Sequence, residues 1–295
     1  MAKINQSLFR HGRWIKSVLI LTGLILVLLI ILGYKTYSVY QSDLPSFEQL
    51  HNIEPSIKTK IFDRNGILLK EFYSENRALT PYSKMPPYLI NILLASEDRE
   101  FFDHWGINAR RVFVVAAYNL VKMRIAAGAS TITQQLARML FLTRNQTLER
   151  KVKEALTAIK LERTYSKQEI LEMYLNQYYF GRGAYGIAAA SHVFFSKDVS
   201  ELNYNDCAIL IGMLKAPNTN SPFLYPDKAL RARNRVLYSY YTFNGIDEAT
   251  YDSLINEELI ISPPKEELGI APYFTETIRQ YIYDRYGRIC CIRED

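Results

Sequence analysis

The chain has 295 residues, of which 48% are hydrophobic, so it can bury a substantial core in one main domain with accessory segments. Its three cysteines show neither metal-ligand spacing nor a disulfide framework, which excludes a disulfide-stapled scaffold. The formal net charge of +6 favours an anionic partner, and nucleic acid, a membrane surface and a phosphate-bearing substrate all remain open.

The N-terminal segment has the pattern of a membrane anchor. Residues 18–33 carry no charge and are flanked by Trp14 and Tyr34, residue types typical of the membrane interface. Basic residues precede this run, whereas only Lys35 follows closely, so the positive-inside rule places the N-terminus in the cytoplasm. A cleaved signal peptide is the alternative, but no small-x-small cleavage site follows the run. We therefore predict a cytoplasmic tail at 1–17, an uncleaved transmembrane helix at 18–37 and a stalk at 38–58.

Short strands and then helices follow the stalk. Residues 58–73 read as two strands around an Asn65-Gly66 turn, which predicts a β-hairpin that must pack on another element. From Pro86 onward the signals are helical, and Pro86 and Pro87 suit the start of a helix.

Glu97 is the anomaly in this first helix. It falls on the same face as Ile90, Leu93 and Leu94, where the pattern asks for an apolar side chain. A carboxylate among apolar neighbours loses solvation of its charged form and accepts a proton more readily near neutral pH, as a general base requires. The alternative from the residues alone is a helix-end carboxylate turned to solvent.

The next stretch, residues 107–127, is both apolar and basic. It carries Arg110, Arg111, Lys122 and Arg124. Such a stretch forms either a core helix or a surface that lies against lipid headgroups, and the sequence leaves both readings open.

Polar residues mark the start of the helix that follows Gly128. Ser130 or Thr131 can cap this helix, which carries Gln134 and Gln135. Free amides at a helix N-terminus can bind an anion, although such a pattern is more often only a polar cap.

Later helices have clear boundaries. Thr147 can cap a helix on which Arg150, Lys151 and Glu154 lie side by side, and these three alone would usually be salt-bridged surface residues. Residues 166–169 form a capping box that starts another helix. Residues 202–214 form a further buried helix, and a tight loop before residue 187 is marked by Gly181, Gly183 and Gly186.

Five ordered blocks carry a resemblance to a known family. They are Glu97-Asp98-x-x-Phe101-x-x-His104-x-Gly106, Gly128-x-Ser130-Thr131-Ile-Thr133-Gln134-Gln135, Arg150-Lys151-x-x-Glu154, Glu169-Ile-Leu-Glu172-x-Tyr174-Leu175-Asn176 with Gly181 and Gly186, and Ala208-x-x-x-Gly212-x-x-x-Ala216-Pro217. Across residues 59–226 the chain closely resembles glycosyltransferase family 51. This family contains the peptidoglycan transglycosylase domains of class A penicillin-binding proteins and their monofunctional relatives.

The resemblance implies a fold and a reaction. The fold is a mostly α, lysozyme-like bilobed glycosyltransferase domain at 59–245, with a large lobe and a smaller jaw near the membrane. The reaction polymerises lipid II by moving the growing glycan from undecaprenyl pyrophosphate onto the 4-hydroxyl of an acceptor N-acetylglucosamine. An α-linked donor becomes a β-1,4 bond, so the displacement inverts and needs no covalent enzyme intermediate.

The resemblance also implies residue roles. Glu97 matches the family's general base, and Arg138, Lys151 and Lys153 match positions near the pyrophosphate. Glu154 matches a second essential carboxylate, which we assign to orienting those cations or the leaving group. The other predicted substrate-binding residues are Asp98, Phe101, His104, Ser130, Thr131, Gln134, Gln135 and Arg150.

The resemblance leaves a divalent ion open as a cofactor. Asp98 assists Glu97 or, together with Glu97, contributes to a Mg²⁺ or Mn²⁺ site. The implied partners are lipid II, the undecaprenyl-linked glycan, the lipid bilayer and other cell-wall synthesis or division proteins, with no nucleic acid. The implied location is the bacterial cytoplasmic (inner) membrane, with the catalytic domain in the periplasm or outside.

Three departures from the family pattern stand out. Gln146 occupies a position where the family commonly has Arg, and Ser196 stands where Gly is usual. Residues 246–295 resemble a linker-like segment with no transpeptidase domain. The only Ser-x-x-Lys, residues 262–265, holds two prolines, and Lys-Thr-Gly is missing, so we predict no penicillin binding by this chain.

Two other functions remain as alternatives. A glycan-cleaving enzyme on the same lysozyme-like fold would use a carboxylic acid to protonate the glycosidic oxygen. An inactive membrane scaffold, disabled at Gln146 or by truncation, would make no glycan at all.

Overall fold

The computed structural model describes residues 59–72, 79–122, 128–141 and 147–262, with single residues near the two ends of the chain. The chain divides into two compact units, residues 1–46 and 47–295. Apart from isolated positions, the predicted cytoplasmic tail, transmembrane helix and stalk lie outside the described residues, as does Gln146. Among the described helices, none combines the length and apolar character that crossing a bilayer requires.

The described part of the larger unit is mostly helical, which confirms the predicted fold class. The strands are β1 (Thr59–Phe62) and β2 (Leu68–Phe72). The helices are α1 (Pro87–Glu97), α2 (Ala109–Lys122), α3 (Ile132–Phe141), α4 (Leu148–Thr164), α5 (Lys167–Gln177), α6 (Ile187–Phe195), α7 (Tyr204–Met213), α8 (Pro226–Thr242) and α9 (Glu248–Asn256). Short 3₁₀ turns occupy Tyr82–Lys84 and Val199–Glu201.

The two strands form the predicted antiparallel hairpin. Thr59 lies opposite Phe72, and the register shifts after Ile61. Asp63 stabilises the turn, because its Oδ1 accepts from the backbone amides of Asn65 and Ile67, each at 2.8 Å. Gly66 has a φ of 82°, which a residue without a Cβ adopts readily.

Local capping chemistry places three helix starts where the sequence predicts them. Pro86 and Pro87 begin α1, with Pro87 in the first turn, where its missing amide costs no hydrogen bond. The Thr147 side chain accepts from the amide of Arg150 at the start of α4. A reciprocal capping box at 166–169 begins α5.

The hydrophobic core joins two groups of helices. Helix α1 packs against α7 and α8, while α3 packs against α4 and α5. Leu89, Leu93, Leu136 and Leu210 are among the fully buried side chains of this core. Burial of apolar surface therefore fixes the end of α1, which carries Glu97, relative to the helices around it.

Helix α2 has no buried side chain. Its exposed apolar residues include Phe113, Leu120 and Val121, with exposed fractions of 76%, 80% and 80%. The core alternative for this stretch is therefore wrong over the described part of the helix, and the alternative of an apolar and basic surface fits it.

Residues 246–262, predicted as the start of a linker-like segment, pack on the domain. The buried Arg233 guanidinium of α8 donates to the carbonyl oxygens of Ile255 and Glu257, at 2.9 and 2.8 Å. Ser196 has a left-handed φ of 56° at the end of α6, and its hydroxyl donates to the carbonyl of Ser262 at 2.7 Å. This hydrogen bond offsets part of the strain of having Ser where Gly is usual.

We expect Gly186→Ala to lower the free energy of unfolding by about 3 kcal/mol, because two costs coincide there. Gly186 has φ 84° and ψ 159°, a region almost restricted to glycine. An added Cβ would also stand 2.7 Å from the carbonyl oxygen of Asn176. Urea unfolding measures the loss.

Gly183→Ala is the matched control for this prediction. Gly183 also has a positive φ, of 72°, but an added Cβ meets nothing within 4 Å. It should cost only the backbone strain of about 1 kcal/mol. Equal losses in the two variants would contradict the role of the Asn176 contact.

Candidate active site

Glu97 is the last residue of α1 and is only 8% exposed, because the apolar face of that helix enters the core. Its Oε2 accepts a hydrogen bond from Gln135 Nε2 at 3.2 Å. Its Oε1 is buried and has no hydrogen-bond partner among the described residues, and Lys215 Nζ lies 3.9 Å from it. One oxygen is thus held in place while the other can accept a proton.

Asp98, the next residue, is fully buried and tightly bound. Its Oδ2 accepts from the amide of Ile132 and lies 3.0 Å from His104 Nε2. The amide of Gly106 donates to His104 Nδ1 at 3.1 Å, so the ring proton sits on Nε2 and is donated to Asp98. Asp98 therefore joins the end of α1 to the start of α3.

Arg111 of α2 holds the backbone of the same corner. Its Nη1 donates to the carbonyl oxygen of Glu97 at 2.8 Å and lies 3.9 Å from Asp98 Oδ1. The guanidinium therefore restrains the main chain that carries both carboxylates.

Asp98 does not fit the role of a Mg²⁺ or Mn²⁺ ligand. One of its oxygens already accepts two hydrogen bonds, and the other faces the Arg111 guanidinium. In the part of the chain that the structure describes, no three His, Cys, Asp or Glu side chains gather as a metal site requires.

Thr131 and Gln134 build the N-terminus of α3. Thr131 Oγ1 accepts from the amide of Gln134 at 3.1 Å, and Gln134 Oε1 accepts from the amide of Thr131 at 3.0 Å. Thr131 Oγ1 also donates to the carbonyl of Gly106 at 2.7 Å. Both side chains are buried, so of the two predicted capping residues Thr131 forms the cap.

Glu154 forms a second buried carboxylate cluster on α4, with only 1% of the residue exposed. Its Oε1 lies 3.0 Å from Arg150 Nη1, and its Oε2 lies 2.6 Å from Lys151 Nζ. Lys151 Nζ also donates to Ser130 Oγ at 2.7 Å. Lys153 instead pairs with Glu149, at 2.8 Å.

The segment from Ser130 to Gln135 joins the two clusters. Ser130 contacts the Lys151–Glu154 pair, and Gln135 contacts Glu97. Because these two residues are five positions apart across the start of one helix, both carboxylates border the same short stretch of chain. The segment from Ser130 to Gln135 thus links the Glu97 cluster to the Glu154 cluster.

Arg138 lies one turn further along α3. Burial raises the pKa values of the Tyr174 and Tyr178 phenols, that of Tyr178 to about 12, and the positive charge of Arg138 offsets a small part of this rise. No hydrogen bond or ion pair joins its guanidinium to another described residue. Arg138 is therefore a cation beside the Glu97 network whose charge is not paired within the described chain.

A cavity of about 420 Å³ opens beside Glu97. Its walls come from the end of α1, the loop that follows and the start of α2, and they carry Arg99, Arg110 and Arg111. They also carry the carboxyl groups of Glu97, Asp98 and Glu100, so the cavity is a polar cleft of mixed charge.

One predicted substrate-binding residue, Phe101, lies in the core. Phe101 is fully buried, with the Lys167 ammonium 4.4 Å from its ring centre, so it shapes the His104 loop without reaching a ligand.

Arg111, Lys215 and Tyr174 contact the Glu97 network but were not predicted as site residues. The sequence signal for Tyr174 and Lys215 was their position within the five blocks that carry the family resemblance.

The comparisons with known proteins identify the family. The family model described as "Transglycosylase" matches residues 65–241, well over half of the chain. The chain belongs to the transglycosylase family. This transglycosylase domain contains all of Glu97, Glu154 and the segment between them, so the family assignment covers the whole candidate site.

The relatives of this transglycosylase are longer proteins. Penicillin-binding protein 1A of Aquifex aeolicus is 38% identical over 274 residues, covering 93% of this chain and 38% of that protein. Penicillin-binding protein 1A of Escherichia coli is 35% identical over 280 residues, covering 93% and 32%. A crystal structure of penicillin-binding protein 1A from Haemophilus influenzae covers 80% of this chain and 25% of that chain, at 26% identity and a TM-score of 0.49. The chain thus spans about a third of the length of the two curated relatives.

Proposed function

We propose that this transglycosylase is a peptidoglycan glycosyltransferase that polymerises lipid II into β-1,4-linked glycan and releases undecaprenyl pyrophosphate. The observation that carries the proposal is the state of Glu97: a buried carboxylate, anchored through Oε2 by Gln135, whose Oε1 accepts no hydrogen bond from a described residue. Membership of the transglycosylase family supports the same reaction class.

Glu97 serves as the general base. The 4-hydroxyl of the acceptor sugar is a weak nucleophile, so its proton must leave as the oxygen attacks the donor's anomeric carbon. Glu97 Oε1 takes this proton, while the hydrogen bond from Gln135 to Oε2 keeps the carboxylate in position. Attack opposite the leaving pyrophosphate converts the α-linked donor into a β-linked product in one displacement.

The cations on α3 and α4 stabilise the leaving pyrophosphate. Lys151 uses two of its three ammonium protons on Ser130 and Glu154, which leaves the third for a phosphate oxygen. Arg150, paired with Glu154, and Arg138, near Tyr174, add further positive charge. Glu154 holds Arg150 and Lys151 in place before the negative charge develops, which is the preorganisation that such catalysis needs.

The direct test is incubation of the full chain with lipid II in detergent. The proposal expects glycan polymer and one undecaprenyl pyrophosphate for each bond formed. Release of fragments from finished peptidoglycan, with lipid II left intact, would instead establish the glycan-cleaving alternative. A folded protein that does neither would be an inactive scaffold.

The proposal includes a location at a membrane, with the domain on its outer face. The charge-free run at 18–33 would anchor the chain, and the exposed apolar and basic face of α2 would lie against lipid headgroups. A lipid-linked donor then reaches the site without leaving the bilayer.

We expect the double variant Phe113→Asp, Leu120→Asp to lose about tenfold activity on lipid II in vesicles, with little loss in detergent, because it removes two apolar lipid contacts. Leu224→Asp, at a residue 63% exposed outside α2, is the matched control and should change neither rate. Equal rates for the double variant and the wild type in vesicles would show that α2 makes no productive lipid contact.

A further inference from the structure

Tyr174 lies behind Gln135, on the side away from Glu97. It belongs to α5 and is fully buried, with its ring 5.4 Å from that of Tyr178. Its hydroxyl donates to Gln135 Oε1 at 3.0 Å, and Gln135 Nε2 in turn donates to Glu97 Oε2 at 3.2 Å. A chain of two hydrogen bonds therefore runs from a buried phenol to the proposed base.

Tyr174 and Glu97 together fix which groups donate and which accept in these two hydrogen bonds. Burial raises the pKa of the Tyr174 phenol well above its usual range, and the charge of Glu97 raises it further, so the hydroxyl keeps its proton. An ionised carboxylate can only accept. The Gln135 amide must therefore turn its carbonyl toward Tyr174 and its NH₂ group toward Glu97.

We infer that Tyr174 is a positioning residue for the reaction, which orients the Gln135 amide so that Glu97 Oε2 is held and Oε1 is left to take the proton. This inference rests on the proposed function, because it assumes that Glu97 is the base. Tyr174 cannot touch the substrate, since its side chain is fully buried. Its hydroxyl reaches Glu97 through Gln135.

Loss of the phenolic hydroxyl leaves the amide free to rotate. A half-turn about the side-chain bond presents the Gln135 carbonyl to the carboxylate, and two acceptors repel each other. Glu97 would then move from the position in which Oε1 meets the acceptor hydroxyl. Misplacement of this kind lowers the rate of the chemical step without changing how substrate binds.

The test is Tyr174→Phe in the full chain, assayed on lipid II. We expect kcat to fall roughly tenfold while KM stays within twofold, because only the base is displaced. Tyr88→Phe is the matched control, since the Tyr88 hydroxyl donates to the carbonyl of Leu202, away from Gln135. The inference fails if both variants keep wild-type kcat, or if Tyr174→Phe changes KM alone.

A double-mutant cycle with Gln135→Ala separates positioning from a general loss of stability. If Tyr174 acts through Gln135, then Tyr174→Phe should cost less than twofold more in the Gln135→Ala background. Losses that multiply in the double variant would overturn the inference, because they would show that the two residues act independently.

An activity-independent measurement keeps this inference separate from the proposed function. Hydrogen exchange of the Gln135 side-chain NH₂, followed by NMR, should be about tenfold faster in Tyr174→Phe than in the wild type or Tyr88→Phe. If the wild type makes no glycan, the proposed function fails while this result still decides whether Tyr174 orients Gln135. Unchanged exchange in Tyr174→Phe would overturn the inference even in an active enzyme.

Discussion

Replacing Glu97 with Gln is expected to lower the rate of glycan formation by roughly 100- to 10,000-fold, the usual contribution of a positioned general base. The substitution keeps the size of the side chain and can still meet Gln135, but an amide cannot take the proton of the acceptor hydroxyl. The fold should persist, because among the described residues no charged partner of Glu97 lies closer than the exposed Lys215 at 3.9 Å. Steady-state turnover of lipid II measures the loss.

Glu100→Gln is the control for this experiment. Glu100 lines the same cavity three residues further on, but it accepts from Asn108 at 2.6 Å and lies 3.6 Å from Arg110. Its replacement removes the same charge from the same cavity without touching the Gln135 contact, so the rate should fall less than fivefold. A comparable loss in both variants would indicate that the cavity needs negative charge rather than a base at Glu97.

Neighbouring carboxylates show how environment separates roles in this site. Glu97 and Asp98 are adjacent and buried, and each has one oxygen that accepts no hydrogen bond from a described residue. Their other oxygens differ, because Asp98 Oδ2 accepts from both His104 and Ile132 whereas Glu97 Oε2 accepts from Gln135 at 3.2 Å. Hydrogen bonds to the charged form of a carboxylate favour that form and make it a weaker base. We therefore propose that Asp98 maintains the structure of the corner and that Glu97 is the base.

The sequence predicted the parts of the fold that depend on neighbours in the chain. The helix starts at Pro87, Thr147 and Ser166 follow from interactions within four residues, so they could be read directly. The anomaly at Glu97 was visible for the same reason, because helical periodicity placed a carboxyl group on an apolar face. Only the resemblance to a family linked Glu97 with Glu154, since periodicity says nothing about residues on different helices.

Contacts between distant parts of the chain could not be read in this way. Lys215, just after α7, and Tyr174, on α5, reach the Glu97 network, but helical periodicity and capping patterns do not mark either residue as part of it. Arg233 likewise secures residues 255 and 257 through backbone carbonyls, which carry no side-chain signature in the sequence. For α2, amphipathic character fits a core helix and a lipid-facing surface equally well, so only the surroundings of the helix could decide.

Replacing Glu154 with Gln is expected to lower kcat/KM by roughly 100- to 1,000-fold, even though Glu154 does not take the proton. The buried carboxylate pairs with both Arg150 and Lys151, at 3.0 and 2.6 Å, and an amide would leave two cations without their anionic partner. Lys151 would then lose the geometry that directs its third proton toward the pyrophosphate. The rate for lipid II at low concentration measures this loss.

Glu149→Gln, on the same helix, provides the comparison that decides the mechanism. Glu149 pairs with Lys153 at 2.8 Å but its side chain is 54% exposed, so its ion pair is screened by water and contributes little. We expect this variant to keep at least half of the wild-type rate, whereas Glu154→Gln loses most of it. If the two variants were equally active, only the total charge on the N-terminal half of α4 would affect the rate. The buried Glu154 cluster would then have no special role in holding the leaving group.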